Sequence, residues 1–137
     1  MSKIITYLTF NGNCREAMLF YQGCLGGNLE FQTIGDSPFS TKLPPLFKKC
    51  ILHATLECGD TVLLGTDMVG ATGLKKGNSV SMMLDCESEM EIRDCFSKLS
   101  KNGVRITPLE KNHWGILLGE IKDKYGNYWL LRYQERP

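Results

Sequence analysis

The chain has little net charge, no long apolar run, no paired cysteine motif and only two histidines. Its 137 residues carry 16 Lys and Arg against 15 Asp and Glu, a formal net charge of +1. That balance excludes a field strong enough to recruit nucleic acid or an anionic membrane. Lys48-Lys49 and Lys75-Lys76 are only pairs, which read as loop or solvated surface rather than as a phosphate patch. No apolar run approaches the roughly 20 residues that a membrane-spanning helix needs. The opening MSKIITYLTF lacks the apolar core and small-residue cleavage site of a secretory signal, so a cytoplasmic protein is expected. Six cysteines stand at 14, 24, 50, 58, 86 and 95, none of them in a C-x-x-C pair. Zinc-ribbon and thioredoxin-type sites are thereby excluded. In a reducing compartment the cysteines are expected as free thiols, several buried as small apolar groups.

What is present is ordinary globular material. The apolar share is 42% and the charged share 23%, enough for one domain with a core. Ile4, Thr6, Leu8 and Phe10 alternate with Lys3, Ile5, Tyr7 and Thr9, a strand pattern that stops at Asn11-Gly12. Asn13 and Glu16 are spaced as a capping box. Ala17, Phe20, Tyr21, Cys24 and Leu25 then form one apolar helical face, and Gly26-Gly27 stops the helix. Leu29, Phe31 and Thr33 mark a second strand. Residues 35–47 are rich in Gly, Pro and Ser, a surface loop long enough to be a lid or simply mobile. Strands follow at 50–58 and 61–67 around the hairpin turn Gly59-Asp60. Residues 68–78 read as a glycine-containing linker.

The second half repeats the order. A strand is expected at 79–84, then a capping box at Ser88 and Glu91 with an apolar face of Ile92, Cys95, Phe96 and Leu99. Asn102-Gly103 stops that helix. Strands follow at 104–107, 114–121 and, after the turn Tyr125-Gly126-Asn127, at 128–133. Asn13 and Ser88 are 75 residues apart, and Gly27 and Gly103 are 76 apart. The spacing predicts one domain over 1–137: a βαβββ unit at about 3–67, the linker, and a second βαβββ unit at about 79–134. Side-chain identity between the copies is low, so order and punctuation carry the repeat.

Three segments, FNGNCREAMLFYQGCLGG, HATLECGDTVLLGTD and HWGILLGEIKDKYGNYW, together resemble the PhnB-like branch of the vicinal-oxygen-chelate (glyoxalase/bleomycin-resistance/dioxygenase) superfamily. The resemblance runs from Tyr7 to Tyr133. It rests on F-N-G-N, F-Y-x-x-x-L-G-G, H-A, W-G and D-x-x-G-x-x-W in that order. It implies an α+β fold of two paired βαβββ units whose curled mixed sheets surround a cavity. It also implies a small-molecule ligand and a homodimer, in which the linker could act as a hinge for swapping. Some proteins of this branch carry the label 3-demethylubiquinone methyltransferase-like. The sequence has no glycine-rich nucleotide loop after its first strand and no room for a doubly wound nucleotide domain.

Metal enzymes of the superfamily hold a divalent ion with His and Glu or Gln from the first and last strands of each unit. Carried onto this chain, those positions fall at Ile5 or Thr6, at Leu63 or Gly65, at Ser79 and at Leu130. None is a ligand type, so no metal residues and no cofactor are expected. The two histidines are His53, on the third strand, and His113, before Trp114.

Strand alternation assigns faces. Ser79, Ser81 and Met83 are expected on an inward face, with Tyr128, Leu130 and Arg132 on another and Thr61, Leu63, Gly65 and Asp67 on a third. Trp129, Leu131 and Tyr133 are expected as core. Candidate ligand-binding residues are therefore Asp67, Ser79, Ser81, Trp114, Tyr128 and Arg132. Trp114 beside Gly115 reads as a stacking wall or as core. Asp67 reads as a ligand contact or a turn cap, and Arg132 as an anion contact or a solvated side chain. His53 is the candidate acid or base, since imidazole titrates near neutrality. Two function classes follow. One is a metal-independent small-molecule-binding protein of the glyoxalase/bleomycin-resistance type. The other is a lyase-, isomerase- or dioxygenase-like enzyme using His53 or a divalent metal site displaced from the positions above.

Overall fold

The computed structural model describes residues 1–36, 38 and 42–135, and the chain divides into two units, 1–75 and 76–137. In the first unit, β1 (Thr6–Thr9) leads to α1 (Cys14–Leu25), β2 (Asn28–Thr33), a 3-10 turn at Ile34–Asp36, the short α2 (Pro45–Lys48), β3 (Ile51–Cys58) and β4 (Thr61–Thr66). In the second, β5 (Met82–Cys86) leads to α3 (Glu89–Leu99), β6 (Val104–Lys111), β7 (Leu117–Lys122) and β8 (Tyr128–Tyr133). The sheets are ordered β1-β4-β3-β2 and β5-β8-β7-β6. Each contains one parallel pair, β1 with β4 or β5 with β8, and two antiparallel pairs. The α+β class and the two βαβββ units stand as expected. Both sheets are open.

Several boundaries move. β5 starts at Met82, so Ser79 and Ser81 precede it. β6 runs on to Lys111 through two register shifts, with Pro108 tolerated because the strand lies at the edge of its sheet. A short helix, α2, occupies part of the expected loop at 35–47; the rest of that loop, with any lid role, lies partly outside the described residues.

Each helix buries one stripe against its own sheet. On α1 the stripe is Cys14, Ala17, Met18, Tyr21 and Cys24. Phe20 and Leu25, expected on the face, are only half-buried. On α3 the stripe is the expected Ile92, Cys95, Phe96 and Leu99. Burying a side chain of this size contributes roughly 1.5–3 kcal/mol. The sheet sides of these layers are Leu56, Ala54 and Leu63 in the first unit and Leu117, Ile121, Trp129 and Leu131 in the second.

Two glycines explain the repeated punctuation. Gly27 precedes β2 and Gly103 precedes β6. A Cβ at Gly27 would strike the Glu57 carbonyl, and one at Gly103 the Lys122 carbonyl. Both mark the place where the returning chain closes on the end of the neighbouring strand.

The two helices begin differently. Ser88 Oγ accepts from Glu91 N at 3.0 Å, and the Glu91 carboxylate accepts from Glu87 N at 3.0 Å. The second capping box therefore forms, shifted by one residue on its return bond. The first does not. Asn13 makes no side-chain cap bond. Its place is taken by Asp67 from the end of β4, whose Oδ1 accepts from Cys14 N at 2.9 Å.

Candidate functional site

A four-stranded sheet with a helix on one side leaves the other face for a ligand. Alternation and register define that open face in each unit. In the first sheet Tyr7 pairs with Leu64, Leu64 with Thr55, and Thr55 with Glu30. This row lies opposite the buried Leu63 and Leu56. In the second sheet Met83 pairs with Leu130, Leu130 with Glu120, and Glu120 with Thr107. The adjoining row there is Asp85, Arg132, Leu118 and Glu110.

The structure corrects one expected face. Leu63 is 3% exposed, and a Cβ on Gly65 would lie 3.0 Å from Cys14 Sγ and Met18 Sδ. Thr61, Leu63 and Gly65 therefore face α1, and the open face of β4 is Val62 and Leu64. The slip is one residue, which exchanges every side chain on the strand. Trp129 and Leu131 are core as expected, whereas Tyr133 is half-buried.

The expected site residues are scattered. Asp67 has both oxygens engaged, Oδ1 by Cys14 N and Oδ2 by Ile51 N at 2.8 Å. Ser79 and Ser81 are exposed and lie before β5 rather than on it. Trp114 is 78% exposed, neither core nor part of an open face. It sits in the β6–β7 turn, where Asn112 Oδ1 accepts from Trp114 N at 2.9 Å and Ile116 N at 3.0 Å. Tyr128 and Arg132 do share the open face of β8. Arg132 is spoken for by Asp85, with Nε and one terminal nitrogen each 3.2 Å from a carboxylate oxygen. That pairing holds the guanidinium above its ordinary pKa. Lys122 lies 5.6 Å over the Tyr128 ring. His53 is exposed on the open face of β3, opposite Gln32.

Sequence reading missed Asp85, Lys122, Tyr7 and Glu30 as open-face residues. The signal for Asp85 is position: parallel pairing of β5 with β8 sets it opposite Arg132. Two hollows lie at strand ends of the second unit. One, of about 360 Å³, is lined by Asp85, Cys86, Glu87, Arg132 and Gln134. The other, of about 250 Å³, is lined by Glu89, Lys111, Gly115, Leu117, Tyr133 and Glu135.

Two of the buried thiols are held protonated. Burial first, then the Asp67 charge, pushes Cys14 up to about 12. Burial first, then Cys95 and Glu91, pushes Cys86 up to about 12. A thiol held protonated is inert at neutral pH.

At the middle of the two open faces Leu64 and Leu130 offer no donor, and the carboxylates of the same rows are Glu30 and Glu120. Among the described residues no three His, Cys, Asp or Glu side chains converge.

The motif D-x-x-G-x-x-W is structural. Asp123 is buried, and its Oδ1 accepts from Tyr125 N at 2.9 Å and Asn127 N at 3.0 Å, while Oδ2 accepts from Trp129 Nε1 at 2.8 Å. Gly126 adopts φ +87°, closing the β7–β8 turn. The sequence model of the family described as 3-demethylubiquinone-9 3-methyltransferase matches residues 2–132. The chain belongs to this family.

The family's PhnB-like character is borne out by solved structures. Protein PA1353 of Pseudomonas aeruginosa is 33% identical, with 99% of this chain and 100% of that chain covered and a TM-score of 0.85. The PhnB protein of Bacillus cereus is 29% identical, covering 97% and 100% of the two chains with a TM-score of 0.75. A glyoxalase-related enzyme of Fulvimarina pelagi, 15% identical over 98% and 89% of the chains, shares the fold with a TM-score of 0.64. The chain thus has the fold of these PhnB-like and glyoxalase-related proteins. No helix among the described residues is long and apolar enough to cross a membrane.

Proposed function

We propose that this protein binds a small flat or amphipathic molecule on the open faces of its sheets, without a metal ion. The observation that carries the reading is the identity of the mid-face residues. Leu64 with Tyr7 in the first unit, and Leu130 with Met83 and Tyr128 in the second, give each open face an apolar middle. An apolar floor with a few oriented polar groups is the usual composition of a small-molecule site. The Asp85–Arg132 pair and Lys122 supply those groups in the second unit. A homodimer in the cytoplasm completes the proposal.

Methyl transfer, named in the family's description, is not part of it. The chain has no glycine-rich loop after β1, and its four-stranded mixed sheets differ from a doubly wound nucleotide domain.

Equilibrium titration of chelator-treated protein with planar and glycopeptide compounds tests the reading. Binding that survives chelator is expected. Stoichiometric zinc, nickel, manganese or iron in protein purified without chelator, with binding lost on its removal, would contradict it and favour a metal-dependent enzyme. A second reading, in which His53 handles a proton, draws support from its exposed position on the first open face.

A further inference from the structure

The row Lys111, Leu117, Tyr133 and Cys86 crosses one end of the second sheet. Leu117 is 2% exposed and Cys86 6%, so the row lies on the α3 side and not on the open face. α3 starts just beyond Cys86, at Glu89. The hollow of about 250 Å³ lies where this row meets the first residue of α3, and Gly115 and Glu135 complete its lining. It is thus on the opposite side of the sheet from Met83 and Leu130. Leu117 and the Tyr133 ring give it an apolar part. Lys111, Glu89 and Glu135 give it charge.

The charges in this hollow are of both signs and do not meet. Arg93 takes the Glu89 carboxylate, Nε to Oε2 at 3.0 Å. Among the described residues neither Lys111 nor Glu135 enters an ion pair, although both line the same hollow. An ammonium and a carboxylate held apart across a small space are complementary to a ligand that carries both charges, reversed. The larger hollow offers no such arrangement, since its one cation, Arg132, is bonded through two nitrogens to Asp85. Size narrows the occupant further. Pockets for drug-sized molecules run to roughly 300–1,000 Å³, so one of about 250 Å³ suits a molecule the size of an amino acid. A separate observation adjoins the hollow. Trp114, next to Gly115, is 78% exposed, and its turn is firmly built. Asn112 Oδ1 accepts from Trp114 N and Ile116 N, Asn112 N donates to the Ile116 carbonyl, and Gly115 N donates to the Asn112 carbonyl. A built turn thus holds a large apolar ring in water, where burial against a ligand would be favourable. A Cβ at Gly115 would meet nothing within 4 Å, so the space beside the indole is open there.

We propose that this hollow is a binding site for the zwitterion of a free α-amino acid with an aromatic or apolar side chain. The ligand carboxylate faces Lys111 and its ammonium faces Glu135. Its side chain lies against Leu117 and Tyr133, and the Trp114 indole covers it by rotation about its side-chain bonds, a motion open to exposed residues. Glu89 stays with Arg93. No covalent bond forms or breaks. The site goes beyond the open-face reading and does not depend on it, because the two lie on opposite sides of the second sheet.

Three probes of one shape test the site: L-phenylalanine, phenethylamine, which lacks the carboxylate, and 3-phenylpropionate, which lacks the ammonium. Binding is followed by NMR, where Trp114 and Trp129 give separate indole N–H signals. Phenylalanine is expected to move the Trp114 signal saturably and to leave in place that of Trp129, which is bonded to Asp123 in the core. Each of the other two probes is expected to bind about tenfold more weakly or worse. Lys111 and Glu135 are exposed, so their substitution leaves the fold intact. Lys111→Gln and Glu135→Gln are each expected to weaken phenylalanine by about fivefold or more. Lys111→Gln is expected to leave phenethylamine within about twofold, and Glu135→Gln to leave 3-phenylpropionate within the same margin. Equal affinity for the three probes, phenylalanine affinity unmoved in either variant, or no binding of phenylalanine would overturn the proposal. Shifts on Met83 and Leu130 in place of Trp114 would overturn it too, while leaving the open-face reading standing.

Discussion

At the scale of single residues, Asp67 carries the heaviest structural duty outside the core. Its carboxylate joins the N-terminus of α1 to the start of β3 by accepting from Cys14 N and Ile51 N. Leaving part-buried backbone N–H groups unpaired costs about 1–3 kcal/mol each. Asp67→Ala is therefore expected to lower unfolding stability by about 2–4 kcal/mol in urea denaturation. Asp67→Asn keeps one acceptor oxygen and is expected to lose about half as much. A loss below about 0.5 kcal/mol for Asp67→Ala would show that the cap is not made in solution. Cys14 and Cys86 bear on pH dependence. Burial pushes both thiols up to about 12 in the fold, from an ordinary 9.0. Above 9 the unfolded chain releases these protons while the folded chain keeps them. Stability from this source is thus fully present below about 9 and drains away as pH rises from 9 toward 12. Denaturation midpoints measured at increasing alkaline pH should fall, and Cys14→Ala with Cys86→Ala should flatten the slope. A slope unchanged in the double variant would contradict the assignment.

At the scale of elements, the two helices test what sequence punctuation means. Asn13 and Ser88 look equivalent in the chain, yet only Ser88 bonds to its helix. Ser88→Ala is expected to cost about 1 kcal/mol and Asn13→Ala less than about 0.5 kcal/mol, by chemical denaturation. Equal losses would contradict the difference in capping. The local box at Ser88 was legible because both partners lie within four residues. The Asp67 cap was not, because its partner is 53 residues away and depends on parallel pairing of β1 with β4. Glycines carried the same lesson in reverse. Gly27 and Gly103 could be matched by spacing alone, and the structure supplies the reason, a strand-end carbonyl where a side chain would go. Gly119 had no such signal; a Cβ there would fall 2.6 Å from the Phe96 ring. Gly119→Ala is expected to destabilise the second unit by about 1–3 kcal/mol, read as a lowered denaturation midpoint, and a neutral result would show that Phe96 can yield.

At the scale of the whole molecule, order was easier to read than aim. The two βαβββ units, their helices and the core residues Trp129 and Leu131 followed from alternation, caps and turns. The face of β4 did not, since Thr61 to Asp67 alternates almost equally well either way and only packing of Gly65 on Cys14 and Met18 decides it. Trp114 misled because composition favours burying an indole, while the hairpin turn at Asn112 puts it in solvent. Arg132 was placed on the correct face, but Asp85, its partner from a strand 47 residues earlier, came only with the register.

The account's central claim is that a ligand lies on the open face of a sheet, over Leu64 in the first unit or Leu130 in the second, without a metal. Backbone and methyl NMR shifts of chelator-treated protein, followed during titration with the planar panel, test it most directly. The account predicts saturable shifts centred on Tyr7 and Leu64 for a ligand on the first face, or on Met83 and Leu130 for one on the second. Shifts confined to the helices or to the Trp114 turn, or binding that appears only when a divalent ion is restored, would contradict it.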